Sequence, residues 1–211
     1  MVKSDKIWDL IANNYDKGEK NFEPIHIKTV ENTKQYLNRD DIVLDYGCGT
    51  GTKAFELAGD VKKVHGIDIS FKMIEIAKRK TIERNTPNVD FGLGTIFDKG
   101  LEKGSFDVIL AFNILHYLKD TRKAIQRINE LLKPGGFFIS STECMGEEKK
   151  SSRIFSFLAL FLLTKARILS VRFFKISELE ALIADGNFHI AKTERLNLKQ
   201  LRFYFVVAKK I

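Results

Sequence analysis

Apolar residues along this chain follow two alternating periods. Short, nearly continuous apolar runs at 42–45, 63–67, 89–93, 106–111 and 136–142 suit strands covered on both faces, and segments of helical periodicity at 52–58, 71–85 and 120–132 separate them. Two further amphipathic stretches, near 5–16 and 26–37, precede the first strand. Alternation of this kind predicts an α/β, Rossmann-like, doubly wound and mostly parallel sheet. Beyond it come an apolar block read as a helical insertion at about 150–170, a helix at 177–185 and two strands at 188–197 and 202–209. The short link between those last two strands predicts an antiparallel C-terminal hairpin that closes the sheet. We see no internal repeat and no low-complexity linker, so residues 1–211 are expected to form one domain, with residues 1–38 as a helical cap.

Composition agrees with that expectation. A chain of 211 residues with 44% hydrophobic and 29% charged residues can bury the core of one α/β unit. Net charge is +8, unevenly spread. Residues 1–150 hold 24 Lys and Arg against 23 Asp and Glu, whereas residues 151–211 hold 11 against 4. A basic tail attracts nucleic acid, an anionic surface or an acidic metabolite, and equally serves as a solvated face. Two cysteines, Cys48 and Cys144, suggest reduced thiols, and the N-terminus lacks the apolar stretch of a signal peptide, so a cytoplasmic protein is expected.

Candidate chemistry gathers where strands end. Val43-Leu44-Asp45-Tyr46-Gly47-Cys48-Gly49-Thr50-Gly51 runs from a strand into a turn in which every second side chain is missing, so that a ligand could press on the backbone before the next helix begins. A dinucleotide fingerprint needs Gly-x-Gly-x-x-Gly, and Thr52 stands at its third glycine position. Asp45 would repel a pyrophosphate and attract a cation. The next strand, Val64 to Asp68, also ends in an acid, placed to meet a ribose diol, with Ser70 as the cap of the following helix.

Four ordered segments, Asp45 to Gly51, Val64 to Ser70, Ser105 to Asn113 and Leu131 to Ser140, resemble those of class I S-adenosylmethionine-dependent methyltransferases of the small-molecule "type 11" kind. The resemblance implies a seven-stranded sheet and S-adenosylmethionine as cofactor, with S-adenosylhomocysteine as product. It also implies a cofactor site built from Asp45, Tyr46, Gly47, Cys48, Gly49, Gly51, Asp68, Ile69, Met73, Phe112, Asn113 and His116. Tyr15, in Ala12-Asn13-Asn14-Tyr15-Asp16, matches a family element whose ring folds over the cofactor. One departure stands out. Where relatives present an acid to the adenine, this chain has Thr95, so adenine would rest on Ile69, Met73, Ile96 and Phe97, with Asp98 as a substitute acid if the loop is shifted.

Methyl transfer from a sulfonium asks the protein mainly for alignment and exclusion of water. If the acceptor must lose a proton, His116 is the first candidate base, against its family role as a cofactor border, and Tyr117, Asn113 and Glu143 are others that would contact the acceptor. No metal is expected. Ile154 to Leu163, a dense apolar block with basic flanks, is too short to span a bilayer, which takes about 20 residues. It is a lid over an apolar acceptor, a dimer contact or, with the whole of 153–172, a peripheral membrane helix. The expected function is methyl transfer to a small, partly apolar molecule. The alternatives are an RNA or protein methyltransferase using the basic tail, and a cofactor-binding protein without catalysis. Acceptor and oligomeric state are not legible.

Overall fold

A computed structural model of the protein describes residues 3–144, 146, 171–198 and 201–211. Helices α1 (Lys3–Glu19) and α2 (Glu23–Lys34) lead into an alternating core: β1 (Ile42–Tyr46), α3 (Thr52–Leu57), β2 (Lys63–Asp68), α4 (Phe71–Glu83), β3 (Val89–Leu93), β4 (Phe106–Phe112), α5 (Thr121–Leu131) and β5 (Leu132–Glu143). Helix α6 (Ile176–Asp185) and strands β6 (Phe188–Leu198) and β7 (Leu201–Lys210) complete it. The sheet has seven strands in the order β3-β2-β1-β4-β5-β7-β6. Neighbours from β3 to β5 pair in parallel, and β7 runs antiparallel to both β5 and β6. The expected architecture is therefore present.

The continuous apolar runs have a direct cause. Val43 and Leu44 are both fully buried but point to opposite faces, Val43 into a core shared with Ile25, Leu57 and Ile74, and Leu44 into one shared with Ile125, Ile128 and Leu179. Helices α2, α3 and α4 thus cover one face, and α5 and α6 the other, so a strand between them has no polar side to show. Strand β4 repeats the alternation: Val108 and Leu110 face the first core, Ile109 and Ala111 the second.

Boundaries shift where local chemistry overrides periodicity. Helix α2 begins earlier than expected because Pro24 occupies its first turn, where a missing N–H costs nothing. Helix α4 ends at Glu83, ahead of Asn85 with its φ of 48°. Strand β5 starts early, pairing Leu132 with Phe106 before an irregularity, and Lys133 holds Asp107 through both carboxylate oxygens at 2.8 and 2.7 Å. The proposed insertion at 150–170 lies outside the described residues, as does all of 153–172 except Val171 and Arg172. Among the described residues no helix is long and apolar enough to cross a membrane.

Strand order reverses at β1, which lies between β2 and β4. Ligands of open α/β sheets sit at the carboxyl ends of the strands at such a switch point.

Candidate functional site

A cleft with about 700 Å³ of empty space, part of it open to solvent, lies at that point. The loop after β1 contributes Gly47 and Gly49, the end of β2 and start of α4 contribute Asp68, Ile69 and Met73, and Tyr46 closes the base. Phe112, Asn113, Ile114, Tyr117 and Leu118 form the wall after β4, and α1 supplies Trp8 and Tyr15. A smaller polar cavity of about 320 Å³ adjoins it, sharing Tyr15, Gly47 and Phe112 and adding Glu19, Asp45, Cys48, Thr50, Thr52 and Lys53.

The glycine loop is folded back on β2. Gly47 and Cys48 both donate their N–H to the Ile67 carbonyl, at 2.8 and 3.1 Å, and Gly51 donates to Cys48 at 3.0 Å. Gly47, Gly49 and Gly51 have φ of 74°, 54° and 80°, left-handed values that favour glycine. Their missing side chains do not all make room for a ligand, as the spacing suggested. A Cβ on Gly47 would lie 2.3 Å from Ile114 Cδ1, and one on Gly51 2.4 Å from Phe91 Cζ, so both glycines admit the protein's own packing. At Gly49 the neighbour is the Tyr15 ring, 3.4 Å away.

Two acids stand beneath this loop. Asp68 accepts the Gly49 N–H at 3.0 Å and the Ser70 N–H at 2.9 Å, one on each oxygen, with the Ile69 N–H as a further donor, and a carboxylate's four acceptor positions leave it capacity for one more. Burial raises its pKa despite those bonds. Asp45 is buried, and among the described residues its carboxylate has no hydrogen-bond partner. Its pKa is pushed up to about 7 by burial and by the charge of Asp68, against the pull of Lys53. A carboxylate held this way favours an incoming cation.

Helix α1 is fastened over the site by three acids on one face. Asp9 accepts from the Ser70 hydroxyl at 2.6 Å and the Lys72 N–H at 3.1 Å; Ser70 in turn caps α4. Asp16 accepts from the Thr50 hydroxyl at 2.5 Å and pairs with Lys80 at 2.7 Å. Glu19 lies 3.2 Å from Lys53 and 3.1 Å from His26 Nε2. The helix thereby carries Tyr15 to the glycine loop and sets Trp8 edge-on to Tyr117, ring centroids 5.0 Å apart. Ile7, Trp8, Tyr117, Val171 and Phe173 pack together at that end.

Several expected residues stand elsewhere. Ile96 is wholly buried in the core beside α5, and Phe97 is exposed. Thr95 donates both its N–H and its hydroxyl to Asp98, each at 3.1 Å, and neither residue is among those lining the cleft. His116 is buried off the cleft wall, with Nδ1 unpartnered among the described residues and its pKa lowered to about 4 by burial. It is neutral at pH 7, and its ring lies against that of Tyr117, with centroids 4.1 Å apart. Tyr117 does line the cleft, and burial pushes its hydroxyl up to about 12. Asn113 lines it too, with a φ of 56° and its N–H donated to Ser141 at 2.8 Å.

Residues 37–201 match the model of a family described as a methyltransferase domain. The chain belongs to this methyltransferase family. It is 40% identical over 97 residues to a demethylmenaquinone methyltransferase of Lactococcus lactis, covering 44% of this chain and 38% of that protein. It is also 33% identical over 101 residues to a ubiquinone biosynthesis O-methyltransferase of Albidiferax ferrireducens, covering 47% and 40%. The matched stretch thus spans about two fifths of the length of these relatives. The geranyl diphosphate C-methyltransferase of Streptomyces coelicolor, solved with geranyl diphosphate and S-adenosylhomocysteine, superposes with a TM-score of 0.71 at 15% identity over 90% of this chain and 80% of that one. The shared architecture is that of the class I S-adenosylmethionine-dependent methyltransferases.

The donor set of this methyltransferase domain suits that cofactor. S-Adenosylmethionine is a cation with a ribose diol, and the chain offers a buried carboxylate without a hydrogen-bond partner among the described residues, a second carboxylate at a strand end and a tyrosine ring over the loop between them. Sequence reasoning missed Trp8, Ile114, Leu118, Lys53 and the three α1 acids. For the acids a signal was present: positions 9, 16 and 19 fall on one helical face with Ala12 and Tyr15.

Proposed function

We propose that the chain transfers the methyl group of S-adenosylmethionine to a small, partly apolar acceptor. One observation carries this reading: the acidic, glycine-lined side of the cleft runs directly into an apolar side walled by Trp8, Phe112, Ile114, Tyr117 and Leu118. The first side suits a cationic nucleoside, and the second suits a flat or oily molecule held without charge. The bound cofactor supplies the activated methyl group. The chain's residues do the rest: Asp68 accepts a hydrogen bond from the ribose diol, Asp45 holds positive charge in the loop, Tyr15 covers the site, and the aromatic wall excludes water and aligns the acceptor. Tyr117 keeps its proton at neutral pH and acts as a hydrogen-bond donor toward the acceptor. Relatives named for quinone biosynthesis support an acceptor of this kind.

Titration calorimetry with S-adenosylmethionine and S-adenosylhomocysteine tests the cofactor half. Wild type should bind both, and Asp68→Ala and Gly49→Val proteins, shown folded by circular dichroism, should lose at least tenfold in affinity. Equal binding by the variants would sink the site assignment. Labelled methyl transfer to hydroquinones and catechols, compared with transfer to tRNA, tests the acceptor half. Preference for tRNA with a steep salt dependence would overturn it.

A further inference from the structure

Helix α4 begins without an acid in its own first turn, where Phe71 and Lys72 stand. The unpaired N–H groups of a helix N-terminus favour negative charge, and here another helix supplies it. Asp9 of α1 accepts the Ser70 hydroxyl at 2.6 Å and the Lys72 N–H at 3.1 Å on the same oxygen, and Ser70 accepts the Met73 N–H at 3.2 Å. Among the described residues the Asp9 side chain bonds only to this turn. Ser70 is fully buried, so its bond to the carboxylate forms away from water, where a charged acceptor holds a donor firmly. The anchors of α1 thus divide between its ends. Asp16 and Glu19 fasten the C-terminal half, which carries Tyr15 to the glycine loop. Asp9 fastens the N-terminal half, beside Trp8, which packs against Ala12, Met73 and Ile76 and meets Tyr117 edge-on. Leu10 and Ile11, next along the helix, are exposed and add little to the hold.

Resting on the methyl-transfer reading above, we propose that Asp9 is a positioning residue for the acceptor. It pins the N-terminal half of α1 to the turn after β2, sets Trp8 against Tyr117, and so fixes the apolar side of the cleft without adding to cofactor affinity. Asp9 is not among the residues lining the cleft, so its effect passes through Trp8. A misplaced wall costs alignment of the acceptor, whereas Asp68 keeps its Gly49 and Ser70 N–H donors whether or not Asp9 is present.

Trp8 is the only tryptophan of the chain, so its emission reports this wall directly. Acrylamide quenching of Trp8 in protein saturated with S-adenosylhomocysteine, together with calorimetry of that ligand, tests the proposal. Asp9→Ala, shown folded by circular dichroism, should be quenched at least twofold more strongly than wild type while its affinity for S-adenosylhomocysteine stays within about threefold. Asp9→Asn, which keeps an oxygen for both donors, should recover most of the shielding. In labelled methyl transfer to a hydroquinone, Asp9→Ala should raise the KM for the acceptor at least fivefold and that for S-adenosylmethionine by less than threefold. Unchanged quenching of Trp8 in Asp9→Ala would overturn the inference, as would an unchanged acceptor KM. A tenfold loss of S-adenosylhomocysteine affinity in Asp9→Ala would overturn it too, by making Asp9 part of the cofactor's hold. Failure of wild type to bind S-adenosylhomocysteine would instead refute the cofactor reading itself.

Discussion

Replacing Gly47 by alanine imposes two separable costs. The left-handed backbone at φ 74° costs a side chain about 1–2 kcal/mol, and the new Cβ falls 2.3 Å from Ile114 Cδ1, an overlap that Ile114 must relieve by leaving its position in the cleft wall. Urea unfolding should therefore show Gly47→Ala destabilised by about 2–4 kcal/mol in the wild-type background, falling toward about 1–2 kcal/mol in an Ile114→Ala background, where the 2.3 Å overlap is removed and only the close Cβ contact at 3.0 Å remains. An equal cost in both backgrounds would mean that Ile114 does not set the need for glycine. Asp45 gives a second prediction at this scale. With its pKa near 7 in the free protein, a bound ammonium would favour the charged carboxylate and expel a proton. Near pH 6.5, the calorimetric enthalpy of S-adenosylhomocysteine binding should vary with the ionisation heat of the buffer, and in Asp45→Asn that variation should shrink. Residues such as these show how far sequence reaches. That Gly47 and Asp45 matter was legible from their place at a strand end, but that Gly47 makes room for Ile114 depends on a residue 67 positions away.

At the level of elements, α1 is held by polar contacts more than by buried apolar area. Ala12 packs on Met73 and Ile76, while Leu10 and Ile11 stay exposed, and Asp9, Asp16 and Glu19 hook onto α4, the glycine loop and α3. Asp16→Asn removes the charge that pairs with Lys80 and weakens the bond to Thr50, a loss of about 1–3 kcal/mol from one anchor. Amide hydrogen exchange should become faster through Lys3–Glu19 in this variant while β1 and β4 keep their protection. Uniform acceleration throughout the sheet would show that the contact stabilises the whole fold and not the helix alone. Core elements were legible in order and type because two covered faces leave a continuous apolar run that few other arrangements produce. The position of α1 was not, since an amphipathic pattern tells which face is buried but not against what. The turn at Thr95 and Asp98 was hidden for a related reason: the hydrogen bonds that Thr95 donates to Asp98 leave no periodic mark in the sequence.

For the molecule as a whole, buried ionisable groups set opposing pH dependences. His116 and His26 each have pKa values lowered to about 4, His116 by burial and His26 by burial first and then by Lys53, with Glu19 pulling the other way. In both cases the unfolded chain takes up a proton near pH 6.5 that the folded one refuses. Their contribution is therefore fully present above pH 6.5 and is lost as pH falls toward 4. Asp45 works in the other direction: between its ordinary value of 3.8 and about 7 the folded carboxyl keeps a proton that the unfolded one releases, so stability falls as pH rises through that range. Asp68, raised as well, adds to this second effect. Two variants separate the opposing slopes in urea melts between pH 4.5 and 8. His116→Gln should flatten the acid limb, losing less stability than wild type between pH 6.5 and 4.5, by a margin on the order of 2 kcal/mol. Asp45→Asn should gain on wild type as pH rises and meet it near pH 4, because the asparagine has no charge to bury. Saturating S-adenosylhomocysteine should bring the wild-type curve toward that of Asp45→Asn above pH 7, since a ligand ammonium beside Asp45 compensates the buried charge that the free protein bears alone. If the ligand raised stability equally at pH 5 and pH 8, the carboxylate would have to be discharged by something other than the ligand, and Asp45 would lose its role in holding it.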